Sequence, residues 1–558
     1  MSRQIIYDSM EEMLKKFIEP EMFIHIASTM ARPNALVNEM IRIYRNQNMK
    51  FTFSVTAVHG NLHALALSHI AKKVITGFLG DNYPKPRGNR IYANVLTEKK
   101  PFAVEPVSLL TLIQRLMGGA MNLPYMTTSS LVGSDLTKIN QENVQVVKTA
   151  EGEEICMVKS LMPEITLVHG ICADRKGNVI LSSPMGEGHW GCLAARKGVL
   201  VTVEKIVSDQ VMQEYADRVV IPSNRVLGVC EVPFGGYPQS MRTFGIDGIQ
   251  SYCDDYDYYV TARNAVLDES LAKQWMENVI CQKNQNYKAL ISSEKMKEIT
   301  QARKELDVLL PDTEITLNEI LIILSARNIV RLVKEKKYRT ILAGIGFSHI
   351  ASWMAKRILE QEGIEIHIMA ELGFYGVSPV DGDVFLFSQR QADEIEQRCD
   401  VLHTLGTQVG YQNQCLGVIG AAEIDKDGNI NSSQLPDGTY MTGSGGANDI
   451  ASVTDCMVVC TPGKRKLVDK VNFVTSPGKR VQSIVTTFGV FERDSTTKEF
   501  TLQTWYNAKE KYKDARTALQ EYTQWNQNIS RNLMKEEKIS LEERQLVWQI
   551  DREGVYRK

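Results

Sequence analysis

A glutamate followed closely by a glycine offers the clearest candidate for chemistry in this sequence. Glu371 comes directly after the apolar run of residues 364–369, and one residue separates it from Gly373. A carboxylate at the end of a strand can act as a nucleophile or as a general base. On spacing alone such a glutamate is more often a solvated or ion-paired side chain, so the residue type does not decide its role.

A glycine-rich stretch at residues 442–449 is the second candidate, because three glycines fall within four positions there. Gly443, Gly445 and Gly446 allow the backbone to approach a ligand closely and to direct N–H groups toward an anion. The isolated pattern is equally typical of a flexible connection. The residues around Ser444 do not have Gly-x-Ser-x-Gly spacing, so a serine nucleophile of that type is not predicted.

Both candidates need elements that position them, and the sequence predicts an α/β unit around Glu371. The apolar run of residues 340–344 indicates a buried strand ending in Gly344 and Gly346, followed by an amphipathic helix and a second strand that leads to Glu371. Such a unit presents ligands along the carboxyl edge of its sheet. The Gly-x-Gly turn lacks the third glycine of the dinucleotide fingerprint and is a weak signal for that ligand.

The same alternation of strands and amphipathic helices extends over the whole chain. Strand-like runs occur at residues 73–78, 164–168, 198–203, 339–344 and 364–369. An Asp-x-x-Gly-Asn turn begins at Asp174 and another at Asp425, in matching surroundings. The fold class predicted from these patterns is α/β, with two related domains built on mostly parallel open sheets.

The boundary between the two domains is predicted in the polar stretch of residues 282–315. We divide the chain into residues 1–300 and residues 301–558, with Thr313 or Thr316 as the cap of the first helix of the second domain. The charged segment after Trp505 contains interleaved aromatic residues and is predicted to be a helical tail.

The composition is typical of an ordinary globular protein with more than one domain. Hydrophobic residues make up 43% of the 558 positions and charged residues 23%, with a formal net charge of −2. This charge provides no general attraction to nucleic acid or to an anionic membrane. No signal peptide, apolar membrane span or zinc-ligand spacing is visible, so we expect a cytoplasmic protein without a metal site.

Several stretches across both halves carry a resemblance to a known family. In the first half they are residues 112–124, 131–135, 201–207 and 231–236, and in the second half residues 344–346, 371–373, 417–431, 443–449 and 473–477. Each stretch is modest alone. Their order and spacing resemble a family I coenzyme A transferase of the glutaconate type, with the α- and β-like subunits fused in one chain.

The resemblance implies a ping-pong coenzyme A transferase with Glu371 as the nucleophile, because the family places its glutamate in a Glu-x-Gly sequence after a strand. A glutamyl-CoA thioester would form on Glu371, with coenzyme A as a co-substrate and no permanently bound cofactor. The backbone of Gly445, Gly446 and Ala447 is expected to stabilise oxyanions. The residues expected to contact coenzyme A are Gly344, Gly346, Gly443 and Asn448.

The first half departs from the family at its substrate loop. The family has a glycine-rich loop before an Arg-x-Pro element, whereas residues 26–34 contain adjacent Arg32 and Pro33 and no glycine. We expect Ser28 and Arg32 to bind a substrate carboxylate, and a structural ion pair is the alternative role for Arg32. A glutaconate-like substrate does not follow from the resemblance.

Three functions remain open from the sequence. The first is transfer of coenzyme A between an acyl-CoA and a small carboxylic acid, and the second is an acyl-CoA hydrolase or lyase that uses the same pocket. The third is a non-catalytic subunit that binds acyl-CoA, against which the retained Glu371 and glycine loop argue. The resemblance also implies a homo-oligomer, either a dimer or a tetramer.

Overall fold

Two large β-sheets organise the computed structural model, which describes residues 4–246, 248–283, 287–301, 307, 309–525 and 528–558. In this described part the first sheet has nine strands: Phe23–Ile26, Phe51–Ser54, Ala71–Thr76, Ala103–Pro106, Ile165–Ala173, Val179–Ile180, Gly198–Ile206, Val219–Ile221 and Val226–Glu231. Most neighbours pair in parallel, and Ile165–Ala173 is buried along its whole length. Burial on both faces explains its unbroken apolar sequence.

The second sheet carries Glu371. Among the described residues it has ten strands: Thr340–Ala343, His367–Ala370, Phe374–Tyr375, Gln397–Arg398, Cys415–Gly420, Asp455–Val459, Val481–Thr486, Gly489–Arg493, Phe500–Trp505 and Ile529–Lys535. The centre of this sheet is parallel, and antiparallel pairs extend both of its sides. The predicted strands before Gly344 and before Glu371 are therefore neighbours in one sheet.

The described chain also contains smaller sheets of two or three strands. One contains Tyr125–Thr128, Val144–Lys148 and Glu154–Lys159, a second contains Glu423–Asp425, Ile430–Asn431 and Leu467–Val468, and a third pairs Ala57–Val58 with Phe78–Leu79. The third sheet matters for the site, because its strands continue from the carboxyl ends of two strands of the first large sheet.

Helices connect and cover the strands. The α-helices of the first half are Met10–Phe17, Asn34–Tyr44, Ala64–Ser68, Leu109–Ala120, Leu136–Ile139, Trp190–Ala194, Asp209–Glu214, Tyr256–Ala265, Glu269–Trp275 and Ser293–Thr300. Those of the second half are Leu317–Lys336, Phe347–Gln361, Ala447–Val453, Ala515–Tyr522 and Leu541–Ile550. Thr316, and not Thr313, caps the helix Leu317–Lys336, since its hydroxyl accepts the Glu319 N–H at 3.0 Å and Glu319 accepts the Thr316 N–H at 2.8 Å.

The α/β fold class with mostly parallel open sheets is confirmed. The division at residue 300 stays a prediction, and residues 302–306 and 308 beside it lie outside the described residues. The tail is helical at Ala515–Tyr522 and Leu541–Ile550, as predicted, but Ile529–Lys535 between these helices joins the second large sheet as a strand parallel to Phe500–Trp505. Within the described ranges, no helix combines the length and apolarity that crossing a membrane requires.

Candidate active site

A cavity of about 630 Å³ lies where the carboxyl edges of the two large sheets face each other. Both halves of the chain line it. Its wall includes nine of the predicted site residues: Ser28, Arg32, Gly344, Gly346, Glu371, Gly443, Gly445, Gly446 and Ala447. The structure thus brings together residues that are more than 400 positions apart in the sequence.

Glu371 reaches this cavity because the chain turns sharply after the strand His367–Ala370. Gly373 has a φ of +100°, and a Cβ atom there would lie 2.3 Å from the carbonyl oxygen of Cys399. Only glycine fits this position, which explains the Glu-x-Gly sequence. The Thr404 hydroxyl donates to the backbone oxygen of Glu371 at 2.7 Å and fixes the turn from the other side.

The Glu371 side chain is partly exposed to the cavity, and its surroundings favour the protonated form. Burial and the nearby charge of Asp449 raise its pKa to about 7, although the neighbouring backbone N–H of Gly446 opposes the rise. A carboxyl group with this pKa is half ionised near neutral pH. It can serve as a nucleophile or as a general base under ordinary conditions.

Contacts with the first half hold the glycine loop against Glu371. The Gly445 N–H donates to the Gly77 oxygen at 2.9 Å, and the Gly445 oxygen accepts the Leu109 N–H at 2.9 Å. Gly443 has a φ of +98°, and a Cβ atom there would lie 2.5 Å from the Tyr440 hydroxyl and 2.7 Å from the Gly77 oxygen. The glycines are needed because two backbones touch here, so the loop is not a flexible connection.

The structure changes the predicted roles of three residues in this loop. The N–H groups of Gly445 and Ala447 are bonded to the oxygens of Gly77 and Ser444, which leaves Gly446 as the donor that faces Glu371. Asn448 is fully buried: its amide oxygen accepts the Leu131 N–H at 2.8 Å, and its amide nitrogen donates to the Thr475 oxygen at 2.9 Å. Asn448 thus joins the two halves and does not line the cavity.

Asp449 is a site residue to which the sequence analysis gave no role. Its carboxylate is buried, with one oxygen accepting the Ser108 hydroxyl at 2.6 Å and the other accepting the Leu110 N–H at 2.9 Å. These donors belong to the first turn of the helix Leu109–Ala120, so Asp449 caps a helix of the other half. Burial raises the Asp449 pKa to about 6 against the effect of these hydrogen bonds.

Ser28, Arg32 and His59 form a buried donor cluster in the cavity wall. Ser28 and Arg32 follow the strand Phe23–Ile26, and His59 follows the adjacent strand Phe51–Ser54. Burial lowers the Arg32 pKa to about 10, and burial together with the Arg32 charge lowers the His59 pKa. The sequence showed His59 only as one of several nearby histidines, because its proximity to Arg32 depends on the pairing of two strands.

The exposed part of the wall is basic. Lys85, Arg90 and Lys466 lie there, and Lys85 sits over the ring of Tyr556 at 5.6 Å. No carboxylate lies within ion-pair distance of these three side chains in the described part of the chain. This rim can bind phosphate groups, whereas the cavity below it offers mainly apolar and backbone surface.

Comparison with known sequences finds that parts of the chain are similar to coenzyme A transferases. Residues 7–231 match the family model described as Coenzyme A transferase. One of the 3-oxoadipate CoA-transferase subunits of Pseudomonas knackmussii is 36% identical over 165 residues, which cover 29% of this chain and 55% of that protein. One of the glutaconate CoA-transferase subunits of Acidaminococcus fermentans is 28% identical over 211 residues, 32% of this chain and 75% of that protein.

These matches confirm the resemblance that the motifs indicated, and this one chain is similar to two different subunits of the 3-oxoadipate enzyme. Among solved structures, the acyl-CoA transferase YdiF of Escherichia coli O157:H7 superposes with a TM-score of 0.66 at 14% identity, covering 98% of this chain and 97% of that one. Its thioester complex with coenzyme A gives a TM-score of 0.64 at 15% identity. At these identities the likeness establishes the fold.

Proposed function

We propose that this chain, parts of which are similar to coenzyme A transferases, moves coenzyme A from an acyl-CoA to a carboxylic acid through a thioester on Glu371. The observation that carries the proposal is the placement of this carboxylate. It lies in a cavity between the two halves, has a pKa raised to about 7 and is in close contact with the backbone of Gly446.

The reaction proceeds through acyl exchanges that need no metal or redox partner. The Glu371 carboxylate attacks the thioester carbonyl and expels the coenzyme A thiolate, which leaves an acyl-glutamyl anhydride. The thiolate then attacks the glutamyl carbonyl and releases the donor acid, so that coenzyme A is held as a glutamyl thioester. The acceptor carboxylate reverses these steps, and Glu371 leaves as the carboxylate.

The backbone N–H of Gly446 is placed to stabilise two of the tetrahedral intermediates. When a thiolate or a carboxylate attacks the glutamyl carbonyl, the developing oxyanion is an oxygen of Glu371 itself. The Gly446 N–H lies beside this carboxylate and can donate to the oxygen as the charge grows. A Cβ atom on Gly446 would lie 2.1 Å from Oε2 of Glu371, so only glycine allows this approach.

The basic rim supplies the binding of coenzyme A in this proposal. The phosphates of the co-substrate would contact Lys85, Arg90 and Lys466 at the exposed mouth, and its pantetheine arm would follow Gly344 and Gly346 toward Glu371. Charge-assisted hydrogen bonds from lysine and arginine are the strongest available for phosphate oxygens. A narrow path lined by glycine suits a thin arm, because backbone takes the place of side chains.

Hydrolysis of an acyl-CoA is the second candidate function, and the same pKa favours it. A carboxylate that is half ionised near pH 7 can deprotonate a water molecule that attacks the thioester. The two functions differ in whether the protein is modified during the reaction. Transfer passes through a thioester on Glu371, whereas a glutamate that acts as a general base is never covalently modified.

The test is incubation of the protein with an acyl-CoA in the absence of any acceptor acid. Borohydride reduces a glutamyl thioester to an alcohol, and peptide mass spectrometry should find this change on Glu371 and not elsewhere. Glu371→Ala should lose the change and the exchange of coenzyme A. The control is Glu365→Ala, which removes an exposed glutamate from the same segment. Turnover by the wild type without any modified Glu371 would support hydrolysis instead.

A further inference from the structure

The buried donor cluster of Ser28, Arg32 and His59 has polar atoms that the protein leaves unused. The three residues are exposed by 6%, 4% and 7%, and all three line the cavity. Ser28 Oγ, Arg32 Nε and His59 Nδ1 are buried without a hydrogen-bond partner in the described chain. Leaving such an atom unsatisfied destabilises a folded protein, so three together indicate a place for a ligand.

Arg32 is the cation of the cluster, and the described residues give its guanidinium no ion pair. Glu187 is the carboxylate whose charge compensates it in part. One Glu187 oxygen accepts His25 Nε2 at 2.6 Å and the Ser28 N–H at 2.7 Å. Glu187 therefore fixes the Ser28 loop, while Arg32 keeps its own donors for another group. An apolar ligand there would leave a desolvated, unpaired charge, which is costly.

His59 has one ring nitrogen, Nδ1, without a partner, and its other ring nitrogen faces the Asn82 side chain. The Asn82 amide nitrogen, which can only donate, lies 3.2 Å from His59 Nε2. Nε2 is consequently the acceptor, and the proton of the neutral ring is on the unpartnered Nδ1. The pKa of His59 is lowered by burial and by Arg32, which keeps the ring neutral. The cluster thus offers one cation, one N–H and one hydroxyl.

The cavity wall also includes the apolar side chains of Met30, Phe78, Phe385 and Phe387, together with Asp254. Asp254 accepts the Tyr259 hydroxyl at 2.7 Å, and burial raises its pKa to about 6. A group that accepts from several donors and carries a negative charge is a carboxylate.

We infer that the acid handled at this site carries a second carboxylate, which binds to Arg32, Ser28 and His59 while the first carboxylate reacts at Glu371. The inference rests on the proposed function and names its substrate class. The apolar side chains beside the cluster would contact the methylene groups between the two carboxylates.

The experiment compares acceptor acids in pairs that differ only at the far end of the chain. The pairs are butanoate and succinate, pentanoate and glutarate, and hexanoate and adipate, each tested with the acyl-CoA that the wild type turns over. We expect the dicarboxylate of at least one pair to have a kcat/KM at least tenfold above its monocarboxylate partner. A single charge-assisted hydrogen bond is worth about ten- to a hundredfold.

Variants separate a binding role from a structural one. Arg32→Met should reduce kcat/KM for the preferred dicarboxylate about ten- to a hundredfold and leave the monocarboxylate partner within about twofold. Ser28→Ala removes a smaller group and should lower kcat/KM for the dicarboxylate, relative to its monocarboxylate partner, several-fold. Arg32→Lys keeps the positive charge and should retain part of the preference that Arg32→Met loses. Arg90→Met at the exposed rim should weaken both acids of a pair equally.

The outcomes also separate this inference from the proposed function. Exchange that proceeds equally well with both acids of every pair would overturn the second carboxylate and leave the transferase standing. The second carboxylate would also be overturned if 3-oxobutanoate had a higher kcat/KM than every dicarboxylate, or if Arg32→Met lowered kcat/KM equally for both acids of a pair. Absence of exchange with every acid would instead reject the proposed function.

Discussion

Replacement of Asp449 by asparagine removes a negative charge beside Glu371 while it keeps the shape of the side chain. The asparagine oxygen can still accept the Leu110 N–H, and its nitrogen can donate to the Ser108 hydroxyl oxygen. The Ser108 hydroxyl can then donate its own proton to Thr111 Oγ1, which lies 2.6 Å away. The cap of the helix Leu109–Ala120 therefore survives. The charge of Asp449 raises the Glu371 pKa, so its loss must lower that pKa.

The size of the effect follows from the fraction of Glu371 that is ionised. With a pKa of about 7, roughly one tenth of the wild-type enzyme carries the reactive carboxylate at pH 6, and roughly nine tenths at pH 8. The activity of the variant at pH 6, relative to its own plateau, should therefore rise by a factor between one and about ten. The direction is fixed by the sign of the removed charge.

The measurement is kcat/KM for the acyl-CoA between pH 5 and pH 9, which reports ionisation in the free enzyme. The wild type should lose activity below about pH 7, and Asp449→Asn should retain it to a lower pH. Asp437→Asn is the matched control, because Asp437 is an exposed turn residue whose bond to the Thr439 N–H asparagine can also make. An acid limb that stays in place in Asp449→Asn, or moves to higher pH, would refute the assignment.

Two further predictions concern the same contact between Glu371 and the glycine loop. Gly446→Ala should fold but lose at least about a hundredfold in kcat, because its Cβ would displace Oε2 of Glu371, whereas Gly410→Ala, with nothing within 4 Å, should behave as wild type in the same assay. Glu371→Gln should be more stable than wild type at pH 8 and equally stable at pH 4: the raised pKa means that the folded state loses stability as pH rises from about 4.5 to 7. Allowing for partial exposure, thermal or denaturant unfolding should show a gain of roughly 1–3 kcal/mol, and no gain at pH 8 would contradict the raised pKa.

Local sequence signals were sufficient for the elements around the nucleophile. Apolar runs predicted the strands before Gly344 and Glu371, and Gly363, with a φ of +73°, follows the end of the helix between them. The cap at Thr316 was also within reach, because a capping box uses residues three positions apart. These features depend on neighbours along the chain, so a single sequence contains them.

Features that depend on partners far along the chain were not predictable in the same way. The sequence could not show that the Gly445 N–H donates to the Gly77 oxygen. It also could not show that the Asn448 side chain bonds to the backbone of Leu131 and Thr475. The strand Ile529–Lys535 was missed for a related reason. Its residues are mostly polar and exposed, as an edge strand permits, so the sheet to which it pairs determines its conformation.

In the proposed transfer, the raised pKa of Glu371 would decide the direction in which the anhydride intermediate breaks. The coenzyme A thiolate can attack either carbonyl of an acyl-glutamyl anhydride, and each attack expels the opposite carboxylate. An ordinary aliphatic acid has a pKa of roughly 4–5, whereas that of Glu371 is about 7. The substrate acid is therefore the better leaving group, and attack at the glutamyl carbonyl, where Gly446 can donate to the oxygen, is favoured on both grounds.

In the proposed reaction, that preference would transfer coenzyme A to the protein and release the donor acid. Asp449 and Gly446 act together in this step, although they shift the Glu371 pKa in opposite directions: one makes the carboxylate a poorer leaving group, and the other holds its oxygen as charge develops. Both residues are fixed by the first half of the chain, through Ser108, Leu110 and the contacts of Gly445. The reactivity of the glutamate is thus a property of the two halves in contact, and neither half provides it alone.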